Sequence, residues 1–269
     1  MSGFSADWLA LREPYDLRAR NPEVLAAVLA AFADHPAVSI VDLACGTGST
    51  VRALAPRLSL RQTWRLVDND LSLLGRAAGM QVPTNVQVTA APVDLNHDLE
   101  AALDGPVDLV TTSALLDLVS AEWLERLAVE TAVRAIPIYA ALSYDGRIVF
   151  DPTDDADADI VAAVNAHQHT DKGFGPALGP DAAQAAIARF ESLGYRVTHG
   201  MSDWVFGPDD RDIQMETCAG WAGAARETGG LSLEAAAGWL TRRRDAIAAG
   251  RSSIKVGHVD LFARPMGTR

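Results

Sequence analysis

Residues 41–50 read VDLACGTGST and join a short apolar run to a loop of small residues that leads into a predicted helix. The run at 37–44 is rich in β-branched residues, which favours a buried strand. Gly46 and Gly48 lack the Cβ atom that would hold a ligand away from the backbone, and the N–H groups at the start of a helix suit a charged or polar ligand end. The stretch therefore predicts a strand, a ligand-binding loop and a helix.

The pattern of a strand followed by a helix repeats along the first half of the chain. Apolar or alternating runs predict four further strands, at 63–70, 85–94, 106–114 and 147–151, the last of them after an Asp-Gly turn. Helical segments lie between these strands. We therefore expect a mostly parallel sheet that is covered by helices on both faces.

The later part of the chain departs from this alternation. Two more strands are predicted at 195–206 and 253–265, and two helices at 211–228 and 232–249 are predicted between them. Trp221 in the first of these helices is expected either to pack in the core or to form the wall of a pocket for a flat or apolar substrate.

Composition and charge limit the partners that the chain can have. The net charge of −12 disfavours nucleic acid and anionic membrane surfaces. Cys45 and Cys218 lie far apart and match no metal-binding spacing, so no metal site is expected. The N-terminal segment has no apolar core typical of a signal peptide, and the apolar run at 24–33 is too short to span a bilayer. We expect a cytoplasmic bacterial protein, monomeric or homodimeric, with a small-molecule substrate.

An acid at the end of the second predicted strand narrows the choice of ligand. Asp68 follows Gly48 by 20 residues, where a carboxylate can bind both ribose hydroxyls of an adenosine-containing cofactor. A dinucleotide-binding loop would carry a third glycine at the position of Val51, and no lysine follows the loop as a P-loop requires. A cofactor that has adenosine but no phosphates remains.

The stretches VDLACGTGST (41–50) and WRLVDND (64–70) resemble the first motif and the second-strand acid of the class I S-adenosylmethionine-dependent methyltransferases. The resemblance extends over about 37–151 and includes APVDLNHDL (91–99) and the end of the fourth strand. Ala44 stands where the family has its first glycine. The cofactor-binding residues that the resemblance implies are Asp42, Ala44, Gly46, Gly48, Asp68, Asn69, Asp94, Leu95 and Ser113.

The resemblance also implies the fold and the activity. We expect a single α/β domain, 1–269, with a Rossmann-like, seven-stranded and mostly parallel sheet. Its parts would be an N-terminal helical lid and helix (1–36), a cofactor-binding core (37–151) and a C-terminal half (152–269). The C-terminal half would contain two substrate-side insertions, at 152–194 and 207–252. The expected reaction is methyl transfer from S-adenosyl-L-methionine to a small molecule by in-line displacement.

The N-terminal segment contains candidate site residues. In similar methyltransferases it covers the cofactor and brings an aromatic residue and an arginine near the methionine carboxylate. Arg12 and Arg20 are therefore candidates for a carboxylate clamp, and Tyr15 is a candidate at the catalytic end. The alternative is a solvated, partly frayed terminus.

Candidate catalytic residues follow the fourth and fifth predicted strands. Asp117 would lie above the cofactor as a base or an anchor for a substrate amine, unless it caps a helix. His167 or His169, beside a Gly/Pro-rich loop, is a candidate base or hydrogen-bond partner, with a surface position as the alternative. Because the two histidines are only two positions apart, they do not share a helix face and are not expected to bind a metal.

Three other functions remain open at this point. The chain could be a methyltransferase that acts on a protein or nucleic acid, or a regulatory module that binds S-adenosylmethionine without catalysis. A nicotinamide-dependent oxidoreductase is disfavoured by Val51.

Overall fold

The computed structural model describes residues 4–266, and one eight-stranded sheet forms the centre of the molecule. The strands are β1 (Ala37–Leu43), β2 (Arg61–Asp68), β3 (Val86–Pro92), β4 (Leu109–Ser113), β5 (Ile138–Asp151), β6 (Tyr195–Met201), β7 (Trp204–Phe206) and β8 (Ser253–Pro265). The helices are α1 (Ala6–Ala19), α2 (Pro22–Ala31), α3 (Ser49–Leu54), α4 (Leu71–Ala78), α5 (Leu99–Ala102), α6 (Ala121–Val133), α7 (Asp157–Gln168), α8 (Ala182–Ser192), α9 (Arg211–Thr228) and α10 (Leu233–Ala248).

The strand order places β1 in the interior of the sheet. The order is β3-β2-β1-β4-β5-β8-β6, and β7 also pairs with β8. The pairs among the first five strands are parallel, whereas β8 is antiparallel to each of its neighbours. Because the chain continues from β1 to β2 on one side and later places β4 on the other, a crevice opens at the carboxyl ends of these strands. The predicted Rossmann-like, mostly parallel sheet is confirmed.

The strand predicted at 195–206 is interrupted. β6 and β7 keep one continuous register along β8, and the break lies between Met201 and Trp204. At the break, the Ser202 N–H donates a hydrogen bond to the carbonyl of His258 at 2.8 Å. The eight strands therefore occupy seven positions in the sheet.

The prediction of a fifth strand at 147–151 after an Asp-Gly turn is wrong in its extent. The strand runs over Ile138–Asp151, and its register against β8 shifts twice along the way. Gly146 has a φ of 87°, and the Arg147 N–H donates to the Asp145 side chain at 3.1 Å. The Asp-Gly pair therefore forms a bulge inside a long strand, not a turn before a short one.

Several helices begin at side chains that accept hydrogen bonds from the first backbone N–H groups. Asn21 caps α2, Asp70 caps α4 and Ser120 caps α6. Such caps satisfy N–H groups that have no partner within the helix. They fix where each helix leaves the edge of the sheet.

The helices cover both faces of the sheet. On one face α2, α3 and α4 pack against a cluster that contains the fully buried Trp64 and Tyr139. On the other face α5, α6 and α8 pack around Trp123 and Phe190. Burial of large apolar side chains such as these is the main stabilising contribution to a fold of this kind.

The segments after β5 and after β7 build a third cluster around the far ends of β5 and β8. Here α7, α9 and α10 surround Phe150, Trp239 and Ile254. The buried Arg243 of α10 donates to the Asp157 carboxylate of α7, so a charge pair joins the two insertions. Among residues 4–266, no helix is long and apolar enough to cross a membrane.

Candidate functional site

A deep cleft opens at the carboxyl ends of the strands. Its volume is about 1480 Å³, larger than the roughly 300–1,000 Å³ of a pocket for one small ligand. The loops after β1, β2, β3 and β4 form one half of the cleft, and β5, β7, β8, α7 and α9 form the other half, with α1 along one side. The cleft therefore has room for two molecules side by side.

In the first half, the loop after β1 is joined to the end of β2. The Cys45 N–H donates to the Val67 carbonyl at 3.0 Å, and the Gly46 N–H donates to Oδ2 of Asp68 at 2.8 Å. Oδ1 of Asp68 accepts from the Asp70 N–H at 2.9 Å. These bonds hold the Asp68 carboxylate rigidly against the loop, and both Gly46 and Asp68 line the cleft.

Three further residues predicted for cofactor binding lie in the same half. Asn69, Asp94 and Leu95 line the cleft beyond Asp68. The Asp94 carboxylate accepts from the Asn96 N–H and lies 3.0 Å from Nδ1 of His97. The hydrogen bond with His97 lowers the pKa of Asp94 below its ordinary value, so the carboxylate is ionised at neutral pH.

Residues with strained backbone conformations collect around the cleft. Ala44, Ala114 and Leu142 have φ values of 51°, 52° and 58°, and all three line the cleft, as does Ser113. A positive φ is rare for residues with a Cβ and costs about 1–2 kcal/mol. Such conformations concentrate at functional sites. Glycine would adopt the left-handed conformation of Ala44 without strain.

Asp42 does not line the cleft, contrary to prediction, but lies fully buried beneath the loop. Its Oδ1 accepts from the Thr111 hydroxyl at 2.8 Å, and its Oδ2 has no hydrogen-bond partner among residues 4–266. Burial raises the pKa of Asp42 to about 7, partly offset by the hydrogen bond from Thr111. Its effect on a ligand would be electrostatic, through the loop.

Gly48 and Arg20 also lie outside the cleft. Gly48 has a φ of 87°, which glycine adopts without strain, and a Cβ at this position would also displace Cε of Met80, 2.1 Å away, so the glycine serves the backbone conformation and packing more than ligand access. The buried Arg20 donates to the Tyr139 hydroxyl at 3.1 Å and to the Ser113 hydroxyl at 3.5 Å. Arg20 can therefore affect a ligand only through Ser113.

Two predicted catalytic residues are directed elsewhere. The Tyr15 hydroxyl donates to Asp210 at 2.8 Å, and its ring packs edge-on against Phe206 at 5.0 Å, which connects α1 to the start of α9. Nδ1 of His169 lies 3.3 Å from the Ala177 carbonyl. Neither Tyr15 nor His169 lines the cleft. Their positions on α1 and after α7 turn them away from the cleft.

Helix α1 lies along the cleft and contacts the glycine loop. Leu9 lies over the glycine loop, with its Cδ1 3.3 Å from the place of a Cβ on Gly46. On the same helix Glu13 accepts from Nη2 of Arg52 at 2.6 Å, which binds α1 to α3. Arg12 lines the cleft, one turn of the helix from Trp8.

Asp117 lines the cleft just after β4 and is 5% exposed. Its Oδ1 is buried and has no hydrogen-bond partner in the described part of the chain. Burial raises the pKa of Asp117 to about 6, and the positive charges of Arg12 and Lys172 partly oppose this shift. An unpaired carboxylate oxygen of this kind is available to accept a proton or a hydrogen bond from a bound molecule.

The second half of the cleft contains a histidine that sequence reasoning missed. His258 on β8 lies directly opposite Tyr144 on β5, and its ring is 4.7 Å from that of Trp204. Nδ1 lies 3.1 Å from the Val256 carbonyl and serves as the donor, which leaves Nε2 as an acceptor. Burial, with the charge of Arg12, lowers the pKa of His258 to about 3, so the imidazole is neutral. The only sequence signal was the alternation of the last strand.

His167 is the predicted histidine that does line the cleft. Its Nε2 lies 3.0 Å from the Glu227 carboxylate of α9, and its Nδ1 lies 3.1 Å from Nζ of Lys172. Nζ of Lys172 also donates to the His167 carbonyl at 2.9 Å and to the Thr170 hydroxyl at 2.8 Å. Because these three bonds use every N–H of the ammonium group, Lys172 contributes charge to the cleft but no free donor.

The sheet order, the antiparallel strand β8 and the cleft beside β1 and β4 together define the fold of the class I S-adenosylmethionine-dependent methyltransferases. No protein-family model and no curated protein matches the chain in sequence. Among solved structures, the chain is similar to the cyclopropane synthase MmaA2 from Mycobacterium tuberculosis, at 11% identity and a TM-score of 0.50, over 97% of this chain and 95% of that one. It is also similar to a cyclopropane-fatty-acyl-phospholipid synthase-like protein from Lactobacillus casei, at 15% identity and a TM-score of 0.54, over 97% and 94% of the two chains. At these identities the likeness establishes the fold.

Proposed function

We propose that the protein transfers a methyl group from S-adenosyl-L-methionine to a small-molecule acceptor by in-line displacement. The observation that carries the proposal is the junction of β1 and β2, where the Gly46 N–H donates to the Asp68 carboxylate at 2.8 Å inside the cleft. This junction fixes the Asp68 carboxylate beside a loop whose glycine has no side chain, an arrangement that suits the ribose hydroxyls of an adenosyl group.

The charges in this half of the cleft fit a cationic cofactor without phosphates. Asp68 and Asp94 line it, and the loop at 44–50 contains no lysine or arginine. Arg52, beside the loop, is bound to Glu13. Val51, which is buried where a dinucleotide-binding loop has its third glycine, disfavours a nicotinamide dinucleotide.

When bound, S-adenosyl-L-methionine supplies a methyl group that its positively charged sulfur activates. In the proposal Asp68 holds the ribose, while Asp94 and Leu95 contact the adenine. Leu9 of the lid helix covers the glycine loop and excludes water from it. Alignment and exclusion of water are the main contributions that a protein makes to a displacement of this kind.

An acceptor that reacts through an O–H or N–H group must also lose a proton. We assign this proton to Oδ1 of Asp117, which is buried and unpaired. With a pKa of about 6, the carboxyl group is ionised at neutral pH and close to the pH at which a general base is most effective. The proton would move to Oδ1 as the acceptor atom takes the methyl group.

The second half of the cleft favours a small acceptor that carries a polar or charged group. Asp117, Lys172, Glu216 and Glu227 all line the cleft. The two similar solved structures named above are a cyclopropane synthase and a cyclopropane-fatty-acyl-phospholipid synthase-like protein. A long hydrocarbon chain would desolvate these charged groups without pairing them, so a polar acceptor is favoured here.

Calorimetry tests the cofactor assignment. We expect S-adenosyl-L-methionine and its demethylated product, S-adenosyl-L-homocysteine, to bind the purified protein, and a nicotinamide dinucleotide not to bind. Binding of the dinucleotide in place of both adenosyl compounds would reject the proposal.

Labelled methyl transfer tests the acceptor class. The protein is incubated with methyl-labelled cofactor and a cell extract, which is then separated into small molecules, protein and nucleic acid. Label in the small-molecule fraction supports the proposal, and label in either polymer supports a macromolecular acceptor. Tight cofactor binding without transfer to any fraction supports the non-catalytic module.

A further inference from the structure

Arg12 of the lid helix has an unusual environment within the cleft. Its Nε donates to Oδ2 of Asp16 at 2.9 Å, and Oδ1 of the same carboxylate accepts from the Trp204 indole at 2.9 Å. The guanidinium carbon lies 5.4 Å from the centre of the Trp204 ring. These contacts fix the orientation of the guanidinium group, since its partner carboxylate is itself held from a strand of the sheet.

Most of the hydrogen-bonding capacity of Arg12 is unused. The side chain is 9% exposed, yet Nη1 and Nη2 donate no hydrogen bond to any of residues 4–266. A guanidinium group carries five N–H donors, and neither Nη1 nor Nη2 of Arg12 is among the fully buried unpaired atoms of the described residues, so both are accessible from the cleft. Lys172, the other cation with a long side chain at the cleft, has all three donors engaged. Arg12 is therefore the cation at the cleft that can receive an anion.

The position of Arg12 associates it with the acceptor half of the cleft. Its guanidinium lies over the ring of Trp204 on β7, and that ring is 4.7 Å from the ring of His258 on β8. Leu9, one turn earlier on the same face of α1, lies over Gly46 instead. Arg12 therefore lies on the side of the cleft that β7 and β8 form.

Aromatic rings lie beside Arg12 in this half of the cleft. Trp204 lies under the guanidinium group, the His258 ring is 4.7 Å from Trp204, and the Tyr144 ring is 6.1 Å from His258. All three residues line the cleft. Aromatic walls bury and orient a planar ring through stacked or edge-on contacts. An acceptor for this half therefore combines a flat body with an anionic group.

We propose that Arg12 binds a carboxylate of the acceptor, and that the acceptor is an aromatic carboxylic acid. This inference rests on the proposed methyl transfer and names the substrate class for it. The two terminal nitrogens of a guanidinium group match the two oxygens of a carboxylate in a bidentate pair. Because the net charge of −12 repels anions at long range, such an acceptor needs a local cation of this kind.

Binding of 2-naphthoate to protein saturated with S-adenosyl-L-homocysteine tests the proposal by calorimetry. The uncharged 2-naphthamide serves as the matched probe, and we expect it to bind at least about tenfold more weakly. Arg12→Gln should weaken naphthoate binding about ten- to hundredfold and leave the affinity for S-adenosyl-L-homocysteine unchanged. Arg18→Gln, on the exposed side of the same helix, should match the wild type.

A second variant guards against misfolding. Arg12→Lys keeps the charge beside Asp16 and loses the bidentate geometry, so naphthoate affinity should lie between those of the wild type and Arg12→Gln. If naphthoate does not bind, or if it binds Arg12→Gln and Arg12→Lys as tightly as the wild type, this inference fails while the proposed function stands. A loss of S-adenosyl-L-homocysteine affinity in both variants, with naphthoate unaffected, overturns it and makes Arg12 a cofactor ligand. If the wild-type protein does not bind S-adenosyl-L-homocysteine at all, the proposed function and this inference both fail.

Discussion

Replacing Asp68 is the sharpest test of the cofactor half of the cleft. Both carboxylate oxygens already accept one backbone hydrogen bond each, from Gly46 at 2.8 Å and from Asp70 at 2.9 Å. Each carboxylate oxygen can accept about two hydrogen bonds, so one site on each oxygen remains for a ribose hydroxyl. Asp68→Ala removes both sites, and Asp68→Asn keeps only one acceptor oxygen.

The size of the effect follows from these two lost bonds. A hydrogen bond to a charged group contributes about 1.5–3 kcal/mol, and Asp68 is only partly buried, so the lower value applies. The loss for Asp68→Ala is then about 3 kcal/mol, or roughly 150-fold in affinity for S-adenosyl-L-homocysteine. The loss for Asp68→Asn is about half of this energy, or roughly tenfold.

Titration calorimetry with S-adenosyl-L-homocysteine measures both affinities, and thermal unfolding shows whether the variants are folded. Asp98→Asn is the control, because Asp98 is exposed, lies outside the cleft and makes no side-chain cap bond. Equal affinities of Asp68→Ala, Asp98→Asn and the wild type, in folded proteins, would refute the assignment of the ribose to Asp68.

Three further predictions concern buried acids and glycines. Because the pKa of Asp117 is about 6, kcat/KM should fall as pH decreases below about 6, and Asp117→Asn should lower the rate about 10²–10⁴-fold and remove this pH dependence. A pH profile that keeps its shape in the variant would contradict the assignment of Asp117 as the base. Burial raises the pKa of Asp42 from 3.8 to about 7, so the wild-type protein loses stability as pH rises from about 4 to 7, and in urea titrations the free energy of unfolding of Asp42→Asn relative to the wild type should increase by roughly 2–3 kcal/mol between about pH 5 and pH 8. A difference that does not change with pH would contradict the raised pKa. Gly48→Ala should destabilise the protein by about 1–2 kcal/mol because of the positive φ of this residue, with further loss if Met80 cannot move, whereas Gly75→Ala in α4, with no atom within 4 Å of the added Cβ, should stabilise it by about 0.5–1 kcal/mol. Equal effects of the two substitutions in urea unfolding would contradict the argument from backbone conformation and packing.

The parts of the fold that could be predicted are those specified by local sequence. The strand at 37–44, its glycine loop and the acid at Asp68 follow from residues that are neighbours in the chain, and the structure has β1 over Ala37–Leu43. The last strand was expected at 253–265 and is found there, because strict alternation is a strong local signal.

The parts that could not be predicted depend on distant pairing. The Asp145-Gly146 pair is typical of a turn, but β5 pairs with β8 along most of its length, and this ladder converts the pair into a bulge. His258 alternates like any strand residue. Only the pairing of β8 with β5, more than a hundred positions earlier, brings its ring opposite Tyr144 at the cleft.

The rotation of α1 was also beyond local reasoning. Arg12, Tyr15 and Arg20 have similar sequence surroundings, but only Arg12 lines the cleft. Tyr15 is turned towards Asp210 and Arg20 towards Tyr139, because contacts with α9 and β5 fix the helix about its axis. A sequence pattern can predict a helix in this segment, but the partners of the helix in space decide which side chains reach the cleft.

The two halves of the cleft differ in what holds them rigid. In the cofactor half, backbone bonds around the strained Ala44 and the Asp68 carboxylate fix a loop. In the acceptor half, Asp260 on β8 accepts from the N–H of the strained Leu142 at 2.8 Å, so the bulge that leads to Tyr144 is fixed by the neighbouring strand. Strain of about 1–2 kcal/mol per residue persists only where surrounding bonds outweigh it. Tyr144 and His258 are therefore set by the sheet, and α7 adds a second constraint, because Asn165 accepts from the Tyr144 hydroxyl at 2.7 Å and donates to the Gly146 carbonyl at 3.1 Å.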